Sequence, residues 1–375
     1  MSQVHRPGLD GTDRRGAGAG VPVAPLVVLW LVTRLVGLGV VAATREHLGL
    51  GWRRAFAPWD GPFYLDIAAS GYQDHLPATL DQARGAFFPL FPVLVRGVVQ
   101  LAGTPPVATA VVLNLLLGLA GLLLFHRLSC LLLPPRQALA ASLLWVCFPG
   151  QLVSTLVMSD ALLATLSVAT LLALVRRRWL LAGVLGMAAT ATRPNGVALC
   201  FAALAAAVVA WRSGDRRGVV ALLLTPLGVL GYWGWLGWHT GRADAWFEIQ
   251  DRFWHQGLDL GWKFLLIFKN PVELSGDATY MATWAGFGLL ALALWCWWRG
   301  ARLPLVATVL VVVLVAQMVL FSGVGPRARF LMAAFPLLLL VAQKVRGAWL
   351  WALAALLGVA QVVLTWAVVS QYVIP

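Results

Sequence analysis

The sequence predicts an all-α protein that lives in a lipid bilayer: a polytopic membrane domain of about 11 transmembrane helices, with short interfacial helices in its long outer loops. Three observations carry this expectation. Hydrophobic residues make up 60% of the 375 positions and charged residues only 11%, whereas soluble domains carry about a quarter charged. The apolar residues gather in runs close to the roughly 20 residues that hydrocarbon requires. Most of the charges lie in the short breaks between those runs, as topology signals do.

Residues 1–24 are polar and Gly-rich, with Arg6, Arg14 and Arg15 ahead of the first apolar run. No small-residue cleavage site follows a short apolar stretch, so the first span is expected to stay as an anchor. Residues 25–375 then form a single multi-span domain. Its spans are expected near 25–44, 106–126, 138–157, 160–175, 180–192, 196–211, 218–238, 281–298, 303–321, 330–343 and 348–370. The short runs 160–175 and 180–192 point to tilted, broken or re-entrant pieces. Pro and Gly punctuate many run ends, as at Pro134-Pro135, Pro149-Gly150 and Pro194. No internal repeat stands out, which argues against a two-half transporter.

Alternating sides along these spans sorts the charges sharply. One side collects 15 bases against 3 acids, the other 12 of each, and Arg34 lies within the first span. The positive-inside rule therefore predicts a cytoplasmic N-terminus in a multi-pass protein of the cell membrane. Two long outer segments, about 45–105 and 239–280, hold most of the acids and many aromatics. Long loops are uncommon without a function, so the chemistry is expected to face outward. The net charge of +13 does not indicate nucleic acid, because no basic helix interleaved with aromatics and no basic tail is present. Cys130, Cys147, Cys200 and Cys296 form no CxxC pair and read as small buried hydrophobes. The strong preference for Arg over Lys hints at a GC-rich bacterial genome.

Five short stretches carry candidate chemistry. In Trp59-Asp60-Gly61-Pro62-Phe63-Tyr64, Pro62 suits a first helical turn and Gly71 a helix end, which predicts a short helix over 62–70. Asp60 then precedes that helix, as an N-cap carboxylate or as a general base at the membrane edge. Asp66, six positions on, points to a different face. Phe87-Phe88-Pro89-Leu90-Phe91-Pro92 makes a stiff apolar wedge and reads as an interfacial structural element. Ser159-Asp160 opens a span, either as an N-cap or as an ionisable group at membrane depth. In Thr192-Arg193-Pro194-Asn195-Gly196, turn chemistry accounts for Pro, Asn and Gly but not for an arginine with little acid nearby. In Gly325-Pro326-Arg327-Ala328-Arg329-Phe330, the two arginines are interfacial anchors or a clamp for phosphate, which the guanidinium fork binds well.

These stretches, in this order, resemble the blocks of the PIG-V-like mannosyltransferases. Trp59-Asp60-Gly61 with Tyr64, Ile67-Ala68 and Gly71-Tyr72 is similar to that family's first-loop signature, and Phe87 to Pro92 to its next block. Ser159-Asp160-Ala161-Leu162, Arg193-Pro194-Asn195-Gly196 and Arg329-Phe330 followed by Phe335-Pro336 resemble three later ones. Asp160 stands where the family has Glu, Pro194 where it has a small polar residue, and Phe330 where it has Tyr. The resemblance, to a bacterial member, implies a C-type (GT-C) membrane glycosyltransferase that takes sugar from a polyprenyl-phosphate donor. Transfer would go to a glycolipid or glycan acceptor on the non-cytoplasmic face, with inversion. With that chemistry, Asp60 is the expected catalytic base, Arg327 and Arg329 are the expected donor-phosphate ligands with Arg193 in reserve, and Trp59, Tyr64, Asp160 and Asn195 are candidate acceptor or supporting residues. No cluster of His and carboxylates has ligand spacing, so no essential metal and no cofactor is expected. The competing classes are a transporter or lipid flippase, which would carry ionisable groups deep inside spans, and a non-catalytic subunit of a glycan-assembly complex.

The charge split yields a direct test. Single cysteines placed at Asp74 and at Arg177 should react with a membrane-impermeant maleimide from opposite sides of the membrane. Labelling of both from one side would overturn the alternation.

Overall fold

The structure, a computed structural model, describes residues 23–262, 265, 278–321 and 326–370. Almost all of the expected N-terminal segment 1–24, part of the outer loop 239–280 and Gly325 lie outside the described residues.

The chain is helical along its length. The first helices are α1 (Ala24–His47), α2 (Trp52–Phe56), α3 (Gly61–Ser70), α4 (Leu90–Ala102) and α5 (Pro106–Leu132). Then come α6 (Pro135–Cys147), α7 (Asp160–Val175), α8 (Trp179–Thr190), α9 (Ala198–Arg212), α10 (Gly218–Leu224) and α11 (Leu227–Thr240). The last are α12 (Ala245–Trp254), α13 (Ala278–Trp298), α14 (Leu305–Leu320), α15 (Ala328–Ala333), α16 (Pro336–Lys344) and α17 (Ala348–Val369). Proline opens α1, α3, α5, α6 and α16 within their first two positions, where its missing N–H has no intrahelical partner to lose.

Among the described residues, five helical stretches are long and apolar enough to cross a membrane unaided: α1, α5, residues 194–212, residues 218–240 and α17. Several other expected spans are shorter, and prolines mark three of the breaks. The expected span 138–157 ends as an α-helix at Cys147, and a 3₁₀ turn over Pro149–Ser154 follows. Pro226 separates α10 from α11, and Pro336 separates α15 from α16. The expected interfacial helix 62–70 is α3, and α12 is a second short helix, in the other outer loop. Of the cysteines, Cys147 and Cys296 are buried as expected, Cys200 is half-buried, and Cys130 near the end of α5 is exposed.

α7 is the centre of the bundle. It packs against both α5 and α8, and nearly every one of its residues is buried. Beside it, Phe125 of α5 stacks on Trp145 of α6 with ring centroids 4.6 Å apart, and Phe335 meets both edge-on. Lipid is as apolar as these side chains, so close approach of backbones must hold helices together. Gly186 of α8 shows the requirement: a Cβ there would lie 2.7 Å from Thr225 Oγ1 at the end of α10.

Arg34, the one charge expected within the first span, is buried without an acidic partner. Its Nη2 donates to Gln361 Oε1 of α17 at 2.7 Å, and its Nη1 donates to the Gln151 carbonyl in the 3₁₀ turn. Gln361 in turn donates from Nε2 to the Phe148 carbonyl at 2.7 Å. The network ties α1 and α17 to the broken end of α6, with neutral acceptors solvating the guanidinium. Gln361→Leu removes one of them, and the Phe148 carbonyl keeps only its bond from Gln151 N–H, so the buried guanidinium loses an acceptor at a cost of about 1–3 kcal/mol. The variant should therefore unfold several degrees earlier in detergent. An unchanged midpoint would show that water or lipid replaces the lost acceptor.

Candidate active site

The site begins with a bend that only a particular local sequence tolerates. Trp59 adopts φ +52°, a left-handed conformation that costs a bulky residue about 1–3 kcal/mol. The turn closes when Gly61 N–H donates to the Pro58 carbonyl at 3.0 Å. Gly61 cannot be larger, because a Cβ would lie 2.6 Å from Ala57 Cβ and 3.1 Å from the Val157 carbonyl. The loop is thereby pressed against the segment leading into α7, where Val157 N–H donates to the Phe56 carbonyl at 2.8 Å. Asp60 is delivered beside Ser159 and Asp160.

Asp60 does not cap α3. It precedes the helix, but its carboxylate makes no capping bond. Oδ2 instead accepts from Arg329 Nη1 at 2.7 Å and lies 3.7 Å from Arg193 Nη1. Arg193 Nη1 also donates to Asp160 Oδ2 at 2.8 Å and to Ser159 Oγ at 3.2 Å. Ser159 likewise makes no cap bond and meets Tyr64 OH at 2.6 Å. The sequence showed Arg193 with little acid nearby. The fold corrects this, bringing acids from 33 and 133 positions away. The result is a chain of alternating charge, Asp160–Arg193–Asp60–Arg329, neutral in sum and largely buried.

Backbone and dipole hold this chain in place. Asp160 occupies the first turn of α7, where the helix N-terminus favours a carboxylate. Arg193 is extended, ahead of a 3₁₀ turn over Pro194–Val197. Gly196 is required there, because a Cβ would meet the Ala189 carbonyl oxygen at 2.7 Å. Arg329 enters at the start of α15. Burial opposes the ionisation of Asp60, but Arg329 and then Arg193 outweigh it and hold the carboxyl below its ordinary range. Burial pushes the Tyr64 phenol up to about 12, so it remains protonated. The Nε atoms of Arg193 and Arg329 are buried and find no acceptor among the described residues.

These groups line one end of a cavity of about 90 Å³. Asp60, Tyr64, Arg193, Asn195 and Arg329 contribute to its wall, as do Phe87 and Phe88. The wedge from Phe87 to Pro92 is therefore part of the site as well as a structural element. Its placement is fixed by Tyr72 and Tyr232, which both donate to the Phe87 carbonyl, and by Leu90 N–H, which donates to the Ala191 carbonyl. Of the two late arginines, Arg329 reaches the cavity and Arg327 does not line it. Arg327 is the extended residue before α15 and Arg329 lies within its first turn, so the two diverge. Trp59 and Asp160 support the wall from behind without lining it. Asp66 pairs with Arg53 and lies away from the cavity, as its spacing predicts.

Gln250, Trp254 and Gln256 also line the cavity, and no sequence motif marked them. The available signal was the four-residue spacing Trp246, Gln250, Trp254 on one face of α12. Among the described residues, no group of three His, Cys, Asp or Glu side chains is placed to hold a metal.

No family model matches the chain. GPI alpha-1,6-mannosyltransferase 2 of Mus musculus is 33% identical over 167 residues, covering 42% of this chain and 32% of that protein. The Cricetulus griseus protein of the same name is 31% identical over 163 residues, 40% and 31% of the two chains. The match thus spans about a third of the length of these relatives. Among solved structures, ArnT from Cupriavidus metallidurans bound to undecaprenyl phosphate superposes with a TM-score of 0.55 at 16% identity, over 89% of this chain and 62% of ArnT. The apo form of ArnT gives 0.53 at 14% identity, with the same coverage. The chain is a multi-pass membrane protein with the C-type (GT-C) glycosyltransferase fold, and its sequence likeness is to the PIG-V-like mannosyltransferases.

Proposed function

We propose that the protein is a membrane glycosyltransferase, a mannosyltransferase by its sequence likeness, which transfers a hexose from a polyprenyl-phosphate donor to a glycolipid or glycan acceptor. The observation that carries this reading is Asp60, a buried carboxylate in a cavity wall, held between two guanidiniums with unsatisfied donors. Perturbed charges concentrated in one concavity are what an acid-base site requires. The proposed topology places this end of the bundle outside the cytoplasm, in the cell membrane, where a lipid-linked donor replaces a sugar nucleotide.

The chemistry follows from the charges. The acceptor hydroxyl oxygen attacks the anomeric carbon from the face opposite the phosphate, and the configuration inverts. The anomeric C–O bond breaks, and its electron pair passes to the phosphate oxygen. The hydroxyl proton goes to Asp60. Arg329 and Arg193 stabilise the charge that grows on the leaving phosphate, an electrostatic contribution at least as important as the base.

Arg329 pairs with Asp60, and the donor supplies a competing anion. A phosphate seated at the free Nε edges of Arg329 and Arg193 draws both guanidiniums toward itself and loosens their hold on Asp60. The carboxylate becomes a stronger base when the donor is bound. Donor binding thus precedes productive acceptor attack.

Transfer from undecaprenyl-phosphate mannose to membrane lipid extract tests the assignment. Asp60→Asn keeps the shape but cannot accept the proton, so turnover should fall by about 10²–10⁴-fold at normal protein level. Arg329→Lys keeps the charge but loses the planar fork, and should raise the apparent KM for the donor about tenfold or more. Near-normal turnover of Asp60→Asn would remove it as base and point to Asp160.

The ion pairs also set a pH dependence. The folded-state pKa of Asp60 lies below its ordinary value of 3.8. The stability that the pairs contribute is therefore complete above that value and lost only as pH falls through the lower, folded one. Neither kcat/KM nor the thermal midpoint should show an acidic limb from Asp60 between about pH 5 and 8. A limb near pH 6 that disappears in Asp60→Asn would contradict the pairing.

A further inference from the structure

The cavity lining has a second, chemically different part. Besides the charged residues, α12 contributes Gln250, Trp254 and, just past its C-terminus, Gln256. These residues come from the second outer loop and are neutral, hydrogen-bonding or aromatic. Their placement is specified. Trp246 Nε1 and Gln250 Nε2 both donate to the Ala86 carbonyl, at 3.2 and 3.3 Å, and the next residue on that face is Trp254. Ile249 locks the helix from the adjacent face, buried against Gly85, where a Cβ would come within 2.8 Å of its Cδ1. Trp254 meets Phe87 and Phe63 edge-on, with centroids 5.6 and 6.0 Å away. Neither of these rings, nor Phe253, stacks flat on the indole. His255 adopts φ +48° at the helix end, and this turn places Gln256 back on the cavity.

A glycosyl phosphate has the same two-part character. Its phosphate is an anion, and the ring bonded to it is an uncharged polyol with an apolar C–H face. The anomeric carbon is joined to a phosphate oxygen. A phosphate at Arg329 and Arg193 therefore leaves the sugar ring beside it, in the remainder of the same cavity. Aromatic faces take the apolar face of such rings, and amides can donate to and accept from hydroxyl groups.

Resting on the glycosyltransferase reading, we infer that Gln250, Trp254 and Gln256 form the subsite for the transferred sugar, with Trp254 stacking on the ring and the two amides reading its hydroxyls. α12 and the residue two positions past its end are thereby the element that selects the hexose. The first loop supplies the base, and residues 193 and 329 supply the phosphate ligands. Substitution in α12 changes which sugar is accepted without changing how the lipid phosphate is held.

Binding separates this subsite from catalysis. Full-length protein in nanodiscs is titrated with undecaprenyl-phosphate mannose and with undecaprenyl phosphate alone. The sugar should tighten binding to the wild type by about tenfold, and Gln256→Ala should lose about three- to tenfold of that gain. Its affinity for undecaprenyl phosphate should not change. Trp254→Leu should lose as much or more, and Gln250→Ala guards against a result peculiar to one position. Competition between mannose and glucose donors should narrow in the glutamine variants. The subsite is overturned if the sugar adds no affinity in the wild type, or if all three variants keep the full gain. Sugar-dependent binding with no transfer to any lipid acceptor would instead sink the enzymatic reading and leave the subsite standing.

Discussion

The Asp160–Arg193–Asp60–Arg329 chain is the interaction on which this end of the helical bundle depends. It joins the loop between α2 and α3, the start of α7, the turn after α8 and the start of α15, which lie far apart in sequence. Each member alone would be an expensive buried charge. Together they neutralise one another, and Tyr64 and Ser159 occupy further donor and acceptor capacity around Arg193. Such clusters rarely add stability over an apolar replacement. Their presence in a bundle otherwise built from Ala, Leu and Val points to function.

The broken helices serve the same end. A continuous helix crossing the bilayer satisfies its own backbone and presents side chains outward. Interrupting it near the membrane edge frees short turns that can aim polar groups inward. The turn at Pro149 and the start of α15 pack against the buried α7, and the turn at Pro194 against α8 and α9. Arg34 and Gln361 anchor one of them from the membrane interior. This network holds α17 against the 3₁₀ turn, which in turn carries α15. The position of Arg329 thus rests on contacts far from the cavity.

The likeness to ArnT and to the GPI mannosyltransferases accounts for the fold and for the motifs, but in different ways. The structural match extends over most of the chain at an identity too low to transfer chemistry. The sequence match is stronger but covers less than half of it. Independently of both, residues of the expected motifs converge on one cavity.

Much of this was legible in the sequence. Composition alone excludes a soluble core, and the spacing of apolar runs and prolines locates most helices to within a few residues. Asp60, Arg193 and Arg329 stood out because charges are costly beside long apolar runs, and polar groups there need a reason. The sequence could not say whether Asp60 caps its helix or faces a partner, since both uses require the same residue at the same place. Trp59 decides this by a left-handed turn that its own residue type disfavours. Nor could spacing tell that Arg327 and Arg329 part company, because that depends on α15 beginning between them. The wedge at Phe87 and the neutral wall of α12 carried no chemical signature of their own. They became part of a site only when the second outer loop folded over the first. Apolar patterning, a local property, is written along the chain and determined the fold class. The pairing of charges 33, 133 and 269 positions apart depends on which helix ends meet, and only the tertiary structure decided that.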